Sequence, residues 1–126
     1  MMLRNILMAG LGGGLGSIAR FLGQRYISLW FGGPFPLATF LINIFGCFLI
    51  GIFYALAERG SLLNPASRIF LTTGICGGFT TFSSFALENV NLMKNGDFLI
   101  CGLYIAGSVA LGILATYLGI ALFRLG

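Results

Sequence analysis

Four long apolar runs occupy most of this chain of 126 residues and limit the folds that are open to it. A helix that crosses the hydrocarbon core of a bilayer needs about 20 consecutive, mostly apolar residues. Four such helices use about 80 residues and leave only short loops and ends. We therefore predict an all-α membrane protein, a single four-span transmembrane domain over residues 1–126, with spans at Ile6–Trp30, Leu37–Ala57, Ile69–Met93 and Phe98–Phe123.

The composition excludes most kinds of enzyme. Only 8% of the residues are charged, against about 25% in soluble domains. There is no histidine, and Glu58, Glu88 and Asp97 are the three acidic residues, so acid–base enzymes and zinc sites have almost nothing to be built from. The basic residues are scattered singly and no nucleotide-binding motif is present. We expect a protein that is not an enzyme and that binds lipid but neither nucleic acid nor nucleotide.

The basic residues give only a weak preference for one orientation in the membrane. With four spans, both ends and the second loop share one side. A chain with a small bias could insert either way, and two oppositely inserted copies would form an antiparallel homodimer with the inverted-repeat design of many transporters. One side holds Arg4, Arg59, Arg68 and Arg124, and the other holds Arg25 and Lys94, with Arg20 counted on that side or not at all.

The first run also resembles a signal peptide, with Arg4, an apolar stretch and the small residues Ser17 and Ala19. The run is rich in glycine, however, and continues past Arg20, so we interpret it as a span. The chain has 20 glycines, and the pairs Gly10/Gly14 and Gly12/Gly16 in span one predict close packing between helices.

Several polar side chains fall within the apolar runs, where they are costly and mark either packing contacts or a transport path. Thr39 and Asn43 are four residues apart and share a face of span two, as Tyr104 and Ser108 do in span four. In span one we single out Arg20. Asn43 offers N–H donors, and Tyr104 and Ser108 each offer one O–H donor. These donors are uncharged, so they would bind an anion without holding it too tightly for release.

The third run has its polar residues clustered between Thr72 and Asn89, and Glu88 lies near its end. Gly77, Gly78 and the threonines are poor helix formers. One interpretation is a span broken near its middle, with freed carbonyl groups that form a cation site. The other is a continuous helix whose hydroxyl groups bond back to the preceding turn. The residues alone leave both open.

Phe82 and Phe85 share a face of the third run with Asn89. The plain interpretation is that they pack or face lipid. The alternative uses the aromatic quadrupole: the ring edge is positive, so two edges could line an anion path without any formal charge.

Three stretches closely resemble the bacterial Fluc (CrcB) fluoride channels. They are Gly77–Phe85, which carries the pattern Gly-Gly-x-Thr-Thr-Phe-Ser-x-Phe, Thr39–Gly46, and Gly13–Arg20. The resemblance covers the whole chain, and Ser84, where threonine is common, keeps the hydroxyl group.

The resemblance implies an antiparallel, dual-topology homodimer with two fluoride pathways and a structural, untransported Na⁺ at its centre. Arg20 and Glu88 are assigned to a vestibule or polar track. The backbone carbonyl groups of Gly77 and Thr80 are assigned to the Na⁺. The fluoride pathway is assigned to Asn43, Phe82, Phe85, Tyr104, Ser108, Ser84 and Thr39.

The function expected on this basis is passive export of cytoplasmic fluoride across the bacterial plasma (inner) membrane, which relieves fluoride toxicity. An interior-negative potential favours an outward anion by about 2.3 kcal/mol per 100 mV. The leading alternative is a small proton-coupled multidrug exporter, which wants a carboxylate deep in span one, where this chain has Arg20. A second alternative is a non-transporting subunit whose polar residues only join helices.

Overall fold

The computed structural model describes residues 1–59 and 64–124, and these ranges are helical apart from the ends, the connections and Thr80–Thr81. Within these described ranges, four helices are long and apolar enough to cross a membrane, and we number them span one to span four. They begin and end within four residues of the predicted bounds. The chain is therefore an all-α, multi-pass membrane protein. The spans are Met2–Trp30, Leu37–Glu58, Pro65–Lys94 and Phe98–Phe123, the helix of the last continuing to Arg124.

Span three is the irregular one. Its backbone dihedral angles are extended at Thr80 (φ −87°, ψ 156°) and at Thr81 (φ −149°, ψ 117°). Gly77 and Gly78, which the sequence singled out as poor helix formers, are helical. The eight-residue π-helix was not predicted, and it is long for a class that usually appears as a single turn. The pieces of the span are Pro65–Arg68, the π-helix Ile69–Cys76, Gly77–Phe79 and Phe82–Lys94.

Spans one and three pack backbone to backbone. A Cβ atom at Gly12 would overlap the carbonyl oxygen of Phe70, and one at Gly16 would overlap that of Ile75. A Cβ atom at Gly74 would in turn lie 2.7 Å from the Cα atom of Gly12. The close packing predicted for the Gly12/Gly16 pair is confirmed, and it holds the first half of span three against span one. The same prediction for Gly10/Gly14 is wrong within the described single chain, because Cβ atoms there would meet no atom within 4 Å.

Spans two and four form the second closely packed pair. A Cβ atom at Gly51 would overlap the carbonyl oxygen of Thr116, and one at Gly119 would overlap that of Phe48. The Thr116 hydroxyl group donates to the carbonyl oxygen of Cys47 at 3.0 Å, which adds a hydrogen bond between the two spans. The two pairs of spans meet where span two packs against spans one and three and where span four packs against Phe82–Lys94. Thr39, on the polar face of span two, is buried there.

The connections contain the predicted turn residues. Asn64 begins span three, with its side chain accepting a hydrogen bond from the Ser67 amide at 2.8 Å and Pro65 in the first helical position. Gly96, with φ of 79°, allows the tight turn between spans three and four.

The outer surface is apolar, as a bilayer requires, with large side chains such as Leu3, Leu29 and Leu99 exposed. The two large side chains that are almost fully enclosed are Tyr104, with 0% exposure, and Thr39, with 1%. Both carry hydroxyl groups. The best protected part of this membrane protein is therefore polar.

Candidate functional site

A cavity of about 450 Å³ opens on the side of the chain where spans two, three and four meet. It brings together six of the residues that the sequence assigned to the anion pathway or to the cation site. These are Asn43, Gly77, Thr80, Phe82, Phe85 and Ser108. Gly46, Cys47, Ile50, Thr72, Cys76, Thr81 and Val109 complete the lining.

Asn43 holds the extended residues of span three in place from span two. Its Nδ2 donates to the Thr81 carbonyl oxygen at 3.2 Å, and its Oδ1 accepts from the Thr81 amide at 2.9 Å. One side-chain amide thus satisfies two backbone groups that would otherwise be unpaired in the membrane, where such groups are very costly. It also leaves Asn43 with one uncommitted N–H group instead of the two that the sequence offered.

Thr81 begins the second half of span three. Its hydroxyl oxygen accepts from the Ser84 amide at 3.2 Å, which is the hydrogen bond of a helix N-cap. The sequence analysis gave Thr81 no separate role, although threonine is a preferred residue at the N-cap position of a helix. The structure places Ser84 in this first turn through its backbone amide.

The extended residues redirect the amide groups that a continuous helix would use. The Thr81 amide donates to Asn43 and the Ser84 amide donates to the Thr81 side chain. In a regular helix these two amides would pair with the carbonyl groups four residues earlier, which are those of Gly77 and Thr80. Both carbonyl groups therefore lose their usual donors, and both residues line the cavity.

The Arg20 side chain extends from span one to the same part of span three. Its Nε donates to the Gly78 carbonyl oxygen at 3.0 Å. A cation at the C-terminal end of a helix is favourable because the carbonyl groups there carry partial negative charge. The structure thus places the Arg20 side chain, which the sequence assigned to a vestibule, beside the last carbonyl groups of the first half of span three.

Aromatic rings form one wall of the cavity and continue past it. The ring centroids of Phe82 and Phe85 are 5.7 Å apart with planes at 41°, and that of Phe85 is 4.9 Å from Tyr104. Phe82 is 79% exposed in the single chain, whereas Tyr104 is enclosed. The rings thus lead from the open side of the cavity towards the buried polar residues.

Glu88 is held between two hydroxyl groups, in what we call the carboxylate cluster: Gln24, Thr39, Glu88 and Tyr104. Thr39 donates to Glu88 Oε2 at 2.8 Å, and Tyr104 donates to Oε1 at 2.8 Å. Gln24 Nε2 donates to the Thr39 hydroxyl oxygen at 3.1 Å. Gln24 was not singled out from the sequence, because a glutamine near the end of a span is also typical of the membrane surface.

Ser108 presents a polar atom that is not yet used. Within residues 1–59 and 64–124, its hydroxyl oxygen is buried without a hydrogen-bond partner from the protein. Buried hydroxyl groups are normally paired. Ser108 lines the cavity together with Asn43 and Phe85, and its unpaired hydroxyl group is therefore a candidate uncharged donor to a ligand bound there.

Comparison with known proteins gives one consistent result. The family model described as CrcB-like protein, Camphor Resistance (CrcB), matches residues 7–120. A protein from Flavobacterium psychrophilum named fluoride-specific ion channel FluC is 44% identical, over 97% of this chain and 98% of the relative. A protein of the same name from Chlorobaculum tepidum is 45% identical over 99% of this chain and 98% of the relative. Another from Chlorobium phaeobacteroides is 51% identical over 90% of this chain and 87% of the relative. Because the family match and these relatives extend over nearly the whole chain, the chain belongs to the CrcB-like protein family.

Proposed function

We propose that this chain is a passive, fluoride-selective channel that releases cytoplasmic fluoride across the bacterial plasma membrane. Relatives named fluoride-specific ion channels support the substrate, and a channel of this kind is not an enzyme. The observation that carries the proposal is the cavity, whose lining combines Ser108, with its unpaired hydroxyl group, and Asn43, with one remaining N–H group, with the two phenylalanines Phe82 and Phe85.

The chemistry of the cavity suits a small, strongly hydrated anion. Fluoride gives up water only where hydrogen-bond donors replace it, and Ser108 and Asn43 supply such donors without a positive charge that would hold the ion. The ring edges of Phe82 and Phe85 add weak positive potential. Binding is then tight enough for entry and loose enough for release.

The working unit in this proposal is an antiparallel homodimer of dual topology. In the single chain the cavity is open on one side and Phe82 is 79% exposed. This leaves room for a second copy to pack against Phe82 and close the open side of the cavity. The weak charge bias across the membrane allows both orientations. Two oppositely inserted copies would give two equivalent pathways.

We further propose that span three works as a helix broken near its middle. A structural Na⁺ would lie between the two copies. The Gly77 and Thr80 carbonyl groups fit a cation because their usual amide donors bond elsewhere. One copy contributes two such groups, and a hard cation requires more than two oxygen ligands. A second copy is therefore needed to complete the site. Na⁺ would supply positive charge that offsets these carbonyl dipoles.

Replacing sodium by a larger cation is expected to weaken the dimer, because a bulky cation does not fit a site made of closely spaced carbonyl groups. The measurement is the dimer fraction of dilute, purified protein in NaCl and in N-methylglucamine chloride of equal ionic strength. A dimer fraction that is the same in both salts would remove the cation site from the account.

Phe82→Ile is expected to slow fluoride release about fivefold, which corresponds to losing one favourable ring edge worth on the order of 1 kcal/mol. Isoleucine keeps the site apolar but has no quadrupole. The control is Phe98→Ile, an exposed phenylalanine at the start of span four that lies outside the cavity lining. Equal rates for both variants would place Phe82 outside the pathway.

The experiment that tests the function follows fluoride release from liposomes containing the purified protein with a fluoride electrode. Release is expected once an ionophore for K⁺ balances the charge, with or without a proton gradient. Chloride-loaded vesicles are the matched control and are expected to retain their anion. Release that requires a proton gradient would favour a proton-coupled exporter, and vesicles that release nothing would favour a structural subunit.

A further inference from the structure

The carboxylate cluster joins all four spans by side-chain hydrogen bonds. Span one contributes Gln24, span two Thr39, span three Glu88 and span four Tyr104. The Thr39 and Tyr104 side chains are almost fully enclosed, so water does not compete for these bonds. The position of each member therefore depends on its neighbours in the cluster.

Gln24 donates a hydrogen bond to the Thr39 hydroxyl oxygen and so constrains the orientation of that hydroxyl group. A hydroxyl group has one proton to donate and lone pairs that accept. Threonine in a helix commonly donates to a carbonyl oxygen of the preceding turn, as Thr72 and Thr80 do in span three. The Thr39 hydroxyl group instead accepts from Gln24 and donates to Glu88.

We propose that Gln24 is a positioning residue of this channel: its bond to Thr39 directs the Thr39 proton to Glu88 and so keeps both carboxylate oxygens bonded within the protein. This inference rests on the proposed function for its effect on transport. Its structural part, the bonding of Glu88, can be tested without any transport measurement.

The cluster is close enough to the cavity for the bonding of Glu88 to affect an anion. Phe85 connects them, since its ring lines the cavity and lies 4.9 Å from the ring of Tyr104. A carboxylate oxygen without a donor in such a low-dielectric place repels a nearby anion strongly. Gln24 prevents this by keeping Glu88 Oε2 bonded to Thr39.

The first test reads the Glu88 carboxylate directly by infrared spectroscopy. The chain has two glutamates, and Glu58 is exposed at the end of span two. Labelling glutamate side-chain carboxyl groups with ¹³C in a Glu58→Gln protein therefore isolates the bands of Glu88. Gln24→Met, which keeps the length of the side chain but removes its donor, is expected to shift these bands.

A Thr39→Val background supplies the matched control for that test. If Gln24 acts through Thr39, Gln24→Met changes nothing further when Thr39 has no hydroxyl group. Unshifted Glu88 bands in Gln24→Met would overturn the proposal. Equal shifts in the presence and absence of the Thr39 hydroxyl group would also overturn it.

The second test is fluoride release from liposomes. Gln24→Met is expected to slow release about fivefold, the effect of losing one hydrogen bond of ordinary strength, with the dimer fraction unchanged. Tyr26→Phe, which removes an exposed hydroxyl group two residues away, is expected to leave the rate unchanged. An unchanged rate in Gln24→Met beside an active parent would refute the role in transport. An inactive parent would refute the proposed function, while the infrared test would still decide the bonding of Glu88.

Discussion

Asn43→Leu is expected to abolish fluoride release and to destabilise the protein by about 2–6 kcal/mol. Asn43 donates to the Thr81 carbonyl oxygen and accepts from the Thr81 amide, and leucine can do neither. Each buried group left unpaired costs about 1–3 kcal/mol, and two are lost here. The measurements are thermal unfolding in detergent and fluoride release from liposomes.

Asn43→Asp separates the two contributions of this side chain. Aspartate still accepts from the Thr81 amide, but it cannot donate to the carbonyl oxygen when ionised, and it places a negative charge at the cavity. We expect a smaller loss of stability than in Asn43→Leu, with fluoride release still lost. An Asn43→Leu protein as stable as its parent would show that this side chain does not hold the extended residues of span three.

Gly16→Ala is expected to prevent correct folding, with a loss of about 3 kcal/mol or more. The added Cβ atom would overlap the Ile75 carbonyl oxygen and lie 2.9 Å from the Phe79 amide nitrogen. Both neighbours are backbone atoms, so spans one and three would have to separate, and overpacked sites cost about 1–3 kcal/mol even where side chains can adjust. Expression of folded protein and its unfolding temperature measure the effect.

Gly10→Ala is the control for that substitution, because a Cβ atom at Gly10 meets no other atom within 4 Å. It adds the same methyl group to the same helix and is expected to be neutral or slightly stabilising, since alanine is the better helix former. Similar losses from both variants would mean that helix propensity or insertion, and not the contact with span three, determines the effect at Gly16.

The four spans could be predicted from the sequence because the bilayer sets the length of an apolar helix, and the bounds of the runs follow from that length alone. The π-helix at Ile69–Cys76 could not. Its backbone packs closely against Gly12 and Gly16 of span one, and the order of residues within one segment carries no signal for such a contact between spans.

The residues of the candidate site could be selected as polar groups in an apolar setting, but their partners could not. Asn43 stands out because an amide in a span is costly. That it bonds the Thr81 backbone depends on two spans meeting at one height. Gln24 was missed for a similar reason: its bond to Thr39 exists only when spans one and two are side by side.

The most direct test of the central claim is the reversal potential of currents through the purified protein in a planar bilayer. With a tenfold fluoride gradient, equal chloride on both sides and a pH difference imposed separately, a passive fluoride-selective channel is expected to reverse at the fluoride equilibrium potential. That potential has a magnitude of about 59 mV for a univalent ion at 25 °C. The measured reversal potential is expected to be independent of the pH difference. A reversal potential near zero under the fluoride gradient, or one that follows the proton gradient, would contradict the account.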